Sequence, residues 1–315
     1  MARRIQLSSS SPSSVDPDPE AQQRILNGLN EEQRAAVTAT DGPVMIIAGP
    51  GSGKTRTLTH RIAYLLATGR AEPYQIIALT FTNKAAREMR ERVQDLVGDR
   101  ARGMWMGTFH SSFARLLRRE IEAIGYSQDF SIYDTDDSKK IVKQQMNRLQ
   151  LNTDEVKPRS VQRTLSSAKN QMVGPSEYES MAHGRLQEAA AKVYPAYEAA
   201  LKRANALDFD DLLLKPVQLF NQEPKILEKY QQRWQYVHID EYQDTNHVQY
   251  VLAKQLAAGH KNLCVVGDDA QSIYAFRGAD ISNILSFERD YPDATTVRLE
   301  RNYRSTKNIL ALADS

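Results

Sequence analysis

Gly49-Pro50-Gly51-Ser52-Gly53-Lys54-Thr55 follows directly on the apolar run Val44-Met45-Ile46-Ile47-Ala48. Glycines at alternate positions allow the backbone to aim successive N–H groups into one concavity, which holds an anion at a helix start. A lysine at the end of such a loop reaches the β- and γ-phosphates of a nucleotide, and the threonine hydroxyl after it can ligate Mg²⁺. The strict pattern has glycine six residues before the lysine; here that position is Ala48. The later glycines make the tight turn, so the segment Ala48 to Thr55 reads as a phosphate loop for ATP.

Such a loop needs an acid for its metal. Tyr236-Val237-His238-Ile239-Asp240-Glu241 is an apolar strand ending in two carboxylates. By itself the pair reads equally well as a helix cap with first-turn charge. Beside this phosphate loop, Asp240 is the expected Mg²⁺ ligand, directly or through water, and Glu241 the group that polarises the attacking water.

The elements that must position these groups alternate in type. Val44–Ala48, Ile76–Leu79, Met104–Met106, Tyr236–Ile239, Leu263–Val266 and Thr295–Leu299 read as strands, with helices expected over 54–66 and 84–97. Continuous apolar strands between helices predict an α/β fold with a parallel sheet covered on both faces. Residues 111–205 are dominated by helix formers, with one short strand at Phe130–Tyr133. A strand-to-helix connection normally takes roughly 2–6 residues, so this stretch reads as an inserted, mainly helical subdomain.

Composition adds boundaries. The chain has 315 residues, 41% hydrophobic and 25% charged, and a net charge of only +2, so any nucleic-acid surface must come from local clustering of basic residues. Cys264 is the single cysteine, which excludes an internal disulfide and fits a reducing, cytoplasmic setting. No apolar run approaches the roughly 20 residues that span a bilayer. Ser8–Ser14 and Asp16–Pro19 lie in a polar, Pro-rich stretch, and residues 1–22 are expected to be a disordered tail.

Several further blocks carry a resemblance. Asp240-Glu241-Tyr242-Gln243-Asp244, Val266-Gly267-Asp268-Asp269-Ala270-Gln271-Ser272-Ile273-Tyr274 with Phe276-Arg277-Gly278-Ala279, Thr80–Ala86, Gly107-Thr108-Phe109-His110 and Asn302-Tyr303-Arg304-Ser305 stand in the order seen in the UvrD/Rep/PcrA helicases. The chain resembles the N-terminal half of that family, whose members are ATP-driven motors moving 3′ to 5′ on single-stranded DNA. The resemblance implies that Gln33, in Leu29-Asn30-Glu31-Glu32-Gln33, reads adenine, that Tyr303 stacks on it and that Arg56 packs nearby. It implies Gln271 as a γ-phosphate sensor and Arg304 as a γ-phosphate contact from a second motor domain.

For DNA it implies Phe81, Tyr274 and Phe276 as aromatic platforms, with Phe276 where close relatives carry Trp. Arg277 and His110 would touch backbone or bases, and Thr82, Asn83 and Thr108 would donate to phosphate. Each has a plainer reading: Phe81 as a core aromatic, His110 as a structural histidine, and the Arg115, Arg118, Arg119 cluster as a solvated helix face. Asp208-Phe209-Asp210-Asp211 also matches a family block and reads as structural, or as coupling the insertion to the core.

The expected division is therefore a tail at 1–22, a first motor domain at 23–110 and 206–297, an insertion at 111–205, and the start of a second motor domain at 298–315. The resemblance places ATP between two such domains. A partner domain or chain is expected to complete the site, and the isolated chain is expected to turn over ATP weakly. Expected partners are single-stranded DNA and single-strand/duplex junctions, with no membrane. The alternative is a nucleotide-switched DNA-binding module without motor activity.

Overall fold

The computed structural model describes residues 16–268 and 287–303. Its strands are β1 (Val44–Ala48), β2 (Ile76–Thr80), β3 (Trp105–Thr108), β4 (Ser131–Ile132), β5 (Ala206–Leu207), β6 (Tyr236–Ile239), β7 (Leu263–Gly267) and β8 (Thr295–Leu299). Six of them form one parallel sheet in the order β3-β2-β6-β7-β1-β8, while β4 and β5 pair separately.

Side chains along each sheet strand alternate between two buried faces. Met45, Ile77, Leu79, Val237, Ile239 and Val265 enter one core, and Val44, Ile46, Ile76, Ala78, Cys264 and Val266 the other. Burial on both sides is why these strands read as unbroken apolar runs rather than as alternating ones. Helices α1 (Pro19–Leu26), α2 (Glu31–Thr38), α3 (Lys54–Ala67) and α4 (Asn83–Val97) lead into α5 (Phe109–Glu120). Leu58 and Ile62 of α3 and Met89 and Val93 of α4 cover the second face. Phe113, Leu116 and Leu117 of α5 cover the first.

The middle of the chain holds α6 (Thr135–Arg148), α7 (Pro158–Asn170), α8 (Pro175–Met181) and α9 (Arg185–Arg203). Val142, Met146, Val161, Leu165, Val193, Tyr194, Tyr197 and Leu201 give these helices their own core. The chain then returns to the sheet through α10 (Asp211–Gln222), α11 (Pro224–Arg233) and α12 (His247–Ala257). Leu212, Phe220, Tyr230, Val248 and Leu252 on these three helices join the first-face core.

The two parts are joined by a buried ionic cluster. Lys169 Nζ lies 2.7 Å from Glu198, 2.8 Å from Asp208 and 3.0 Å from Asp211, and Lys215 contacts Glu198 and Asp211 at 3.3 and 3.6 Å. Tyr197 donates to Asp208 at 2.8 Å. Burial opposes the charge on Lys169, but three facing carboxylates hold its pKa well above the usual lysine value. Burial and the neighbouring Asp211 push Asp208 up to about 6. The acidic block Asp208–Asp211 is thus an ionic anchor between helices. Among the described residues, no group of three or more His, Cys, Asp or Glu could hold a metal ion.

Three boundaries differ from the sequence reading. The stretch expected to be disordered through residue 22 contains α1: Asp18 caps it, and Ala21 and Ile25 are buried against Ala63 and Ala67. The caps and apolar positions lie past the serine run, so composition averaged over the whole tail concealed them. α5, which carries the first residues of the stretch read as an insertion from 111, packs in the sheet core, its Phe113, Leu116 and Leu117 sharing a cluster with Ile77 and Leu79 of β2 and Trp105 of β3. The boundary at 298 falls inside β8, whose Arg298 and Leu299 pair with Ile47 and Ala48 of β1. Among the described residues, no helix is long and apolar enough to cross a membrane.

Candidate functional site

All six parallel strands end at one edge of the sheet, the edge at which open α/β sheets bind ligands. The Gly49–Thr55 loop leaves β1 there and turns into α3. Gly53 sits at φ +90°, which favours glycine, and a Cβ on it would lie 2.8 Å from Gln33 Nε2 and displace the end of that side chain. Ser52 Oγ donates to the Gly49 carbonyl at 2.7 Å and closes the loop on itself. No side chain caps α3, which leaves its first amides for an anion.

Lys54, Asp268 and Glu241 meet above the sheet. Lys54 Nζ is 3.3 Å from Asp268 Oδ2 and 3.6 Å from Glu241 Oε2. Asp240 leaves β6 buried, and its Oδ2 accepts from the Thr55 hydroxyl at 3.5 Å. Burial, reinforced by the Glu241 charge, pushes the Asp240 carboxyl up to about 7. The Thr55 hydroxyl and Asp240 carboxylate are hard oxygen donors beside a phosphate cradle. That donor set fits Mg²⁺, which takes one or two carboxylates and completes its shell with phosphate and water.

Glu241 is one of the few non-glycine residues at positive φ (+52°). A left-handed conformation of this kind is tolerated where surrounding structure enforces it. Here Gln243 does so: its Nε2 donates to Glu241 Oε2 at 2.9 Å, and its Oε1 accepts from the Asp268 N–H at 3.1 Å. Gln243 therefore links the ends of β6 and β7. In sequence Gln243 stands inside the Asp240–Asp244 block, and only its position two residues beyond Glu241 marks it.

The residues expected around adenine also converge on the loop. Gln33 is 1% exposed, and its amide is already engaged by the protein: Nε2 donates to the Ser52 carbonyl at 3.0 Å and Oε1 accepts from the Asn30 N–H at 3.3 Å. In this arrangement Gln33 braces the loop against α2. Arg56 donates to the Gly28 carbonyl at 3.1 Å. The Tyr303 N–H donates to the Gly51 carbonyl at 2.8 Å, and Asn302 Nδ2 to the Pro50 carbonyl at 2.7 Å. Tyr303 is 53% exposed, with Asn30 donating to its hydroxyl at 3.0 Å, so its ring stands over the loop with surface to offer. Asn30 and Asn302 were not singled out from sequence.

The expected DNA-contact residues gather at the ends of β2 and β3, which pair at Thr80 and Thr108. Phe81 packs against Phe109 with ring centroids 6.0 Å apart and is half-buried. Thr82 and Asn83 are exposed at the start of α4, where the Thr82 hydroxyl accepts from the Ala85 N–H. Thr108 departs from the expectation of a phosphate donor: it is 8% exposed, and its hydroxyl is engaged with Ser111 in the capping box of α5. Burial lowers the His110 pKa to about 4, so the ring is neutral at pH 7. It lies 5.1 Å from Phe209, an aromatic 56% exposed that stands inside the acidic block Asp208–Asp211. Arg115 and Arg119 stack on Trp105 and Arg118 on Phe130. Gln271, Tyr274, Phe276, Arg277 and Arg304 lie outside the described residues.

A histidine held neutral by burial gives a signed pH prediction. The unfolded chain protonates it near 6.5 and the folded chain near 4. Stability should fall as pH drops through that window and level off below it, with a slope of at most about 1.4 kcal/mol per pH unit for one proton. Urea unfolding at pH 7, 6 and 5 checks this: His110→Gln should decline less steeply than the parent chain, and equal slopes would refute it.

A phosphate loop on a parallel sheet, with carboxylates at the ends of two other strands, defines a RecA-like P-loop nucleotide hydrolase core. The chain belongs to the UvrD/REP helicase family: residues 29–292 match the family's N-terminal domain. It is 52% identical over 291 residues to the ATP-dependent DNA helicase PcrA of Bacillus subtilis, covering 92% of this chain and 39% of that protein. Its identity to the PcrA of Staphylococcus aureus is 52% over 290 residues, 92% of this chain and 40% of the relative. For the PcrA of Leuconostoc citreum it is 51% over 292 residues, 92% and 39%. The chain thus spans about two fifths of the length of these curated relatives.

Proposed function

We propose that this chain forms the first motor unit of an ATP-driven 3′ to 5′ DNA translocase and helicase. It would act on single-stranded DNA and single-strand/duplex junctions, in repair or replication, beside the chromosome in the cytoplasm. The observation that carries the reading is a juxtaposition on one sheet edge: the Lys54, Thr55, Asp240, Glu241 and Asp268 cluster stands beside the Phe81, His110 and Phe209 face. Family membership supports it, and the direction of movement rests on family resemblance alone.

The loop amides from Gly51 to Thr55 and the Lys54 ammonium would hold the β- and γ-phosphates of ATP. Thr55 and Asp240 would hold Mg²⁺, which when bound neutralises phosphate charge. Glu241, fixed by Gln243, would orient the attacking water and accept its proton. Tyr303 would lie against the adenine, with Gln33 and Arg56 bracing its side of the loop. Gln271 and Arg304 keep their family roles as γ-phosphate contacts within this proposal. Phe81, Tyr274, Phe276 and Phe209 would supply stacking surfaces, each worth roughly 1–3 kcal/mol per base. Thr82, Asn83 and Arg277 would meet the backbone, while neutral His110 would contribute shape rather than charge. The domain division follows the packing: the six-stranded sheet with α5 as motor core, α6–α9 as insertion. A second motor unit, on the same or another chain, would close over Tyr303; without its arginine, turnover would run about 10³–10⁵-fold slower.

Phosphate release with and without poly-dT tests the reading. Stimulation by single-stranded DNA is expected. Unchanged release at saturating poly-dT would rule out a self-sufficient motor in this chain and favour a nucleotide-switched DNA-binding module.

A further inference from the structure

Asn170, the last residue of α7, reaches out of the insertion to two helix starts at once. Its Nδ2 donates to Asp210 Oδ1 at 2.7 Å and to the Ser166 carbonyl at 2.8 Å, and its Oδ1 accepts from Asn246 Nδ2 at 2.5 Å. Asp210 is the N-cap residue of α10 and directly follows Phe209, whose ring meets His110. Asn246 is the N-cap of α12. It closes the short segment that begins at Glu241, whose carbonyl accepts from the Asp244 N–H at 2.9 Å.

We propose that Asn170 is a positioning residue that couples the ATP-hydrolysing segment Asp240–Asn246 to the DNA-facing segment around Phe209, so that the insertion reads both. The proposal rests on the functional reading above. Its physical basis is that an amide has one donor end and one acceptor end. Asn170 uses the donor end on the Phe209 segment and the acceptor end on the Glu241 segment, so a shift of either segment strains the bond to the other. Asn246 also caps α12, its Oδ1 accepting from the Gln249 N–H at 3.0 Å, so a displaced Asn246 uncaps that helix. The neighbouring Lys169 is locked among Glu198, Asp208 and Asp211, which leaves α7 little freedom to absorb such a shift by itself. Coupling between sites needs a connected set of contacts that both ligands bias, and this amide joins the two segments directly.

The test is the anisotropy of a dye-labelled oligothymidylate, titrated with this chain with and without Mg²⁺ and a non-hydrolysable ATP analogue. In the parent chain the analogue should change DNA affinity by at least about fivefold. Asn170→Asp keeps the acceptor for Asn246 and removes the donor to Asp210, so the response should fall below about twofold while affinity for a fluorescent ATP analogue stays unchanged. Pairing it with Asp210→Asn restores a donor and an acceptor with their places exchanged, and should recover the response; a merely structural role would not follow this exchange. Asn170→Ala, which buries no new charge, carries the test if Asn170→Asp does not fold. A parent chain that responds to nucleotide alongside variants that respond equally overturns this inference alone. A parent chain that binds no oligonucleotide overturns the functional reading and this inference with it.

Discussion

Lys54→Ala is expected to abolish measurable ATP turnover and to weaken nucleotide binding by roughly 30- to 5000-fold, which corresponds to about 2–5 kcal/mol for removing one partner of a desolvated charge group. Lys54 is the cation that faces Asp268 and Glu241 at 3.3 and 3.6 Å. Without it, an incoming triphosphate meets carboxylates with nothing between them. Repulsion is then added to the loss of attraction, which places the effect at the upper part of the range. The check has two parts. Phosphate release should vanish, and the thermal stabilisation that saturating ATP gives the parent chain, about 2.7 kcal/mol at a hundredfold excess over Kd, should fall below about 0.9 kcal/mol in the variant at the same ATP concentration. A variant that keeps the full stabilisation would show that the triphosphate sits elsewhere.

Lys169→Met should produce the largest loss of stability away from the nucleotide. Lys169 is 1% exposed among Asp208, Asp211 and Glu198, and Lys215 contacts only two of the three. Removing one partner of a buried ionic cluster typically costs about 3–5 kcal/mol, because the remaining charge has no solvent to replace it. For a chain of this size that lowers Tm by on the order of 10 °C. The pH dependence has a definite sign. Asp208 is held up near 6 even with Lys169 present, mainly by burial. Removing the cation raises it further above its unfolded value near 3.8. The folded variant then binds more protons than the unfolded chain, so its stability rises as pH falls through the folded pKa. Denaturant unfolding should show a deficit that is larger at pH 8 than at pH 5. A deficit below about 1 kcal/mol, or one that does not vary with pH, would mean that the cluster is not the anchor its geometry indicates.

The phosphate loop and the acidic strand end were legible because they depend on local rules. A glycine-rich turn between an apolar strand and a helix, and carboxylates at a strand terminus, are patterns of neighbouring residues. The same holds for the parallel sheet, since strands buried on both faces are apolar at every position, as in Val44–Ala48 and Ile76–Leu79. The helical character of the middle segment was equally local, a matter of residue type and length.

What sequence by itself determined, then, was the class of fold, the glycine-rich turn between β1 and α3, and the family. Only the tertiary structure decided how polar groups far apart in the chain divide their bonds. Gln33 has the donor and acceptor that adenine would want, yet in the fold its amide is taken by Ser52 and Asn30. Thr108 has a hydroxyl for a phosphate, yet it caps α5. Phe209 sits among acids in sequence; its ring comes to His110 only because the insertion returns beside β3. Gln243 and Asn170 carry no motif that announces a role, and their places at the ends of β6 and α7 bring them to Asp268 and Asn246. A side-chain amide or hydroxyl can satisfy many partners, and which one it meets is set by long-range packing, which no local pattern of residues encodes.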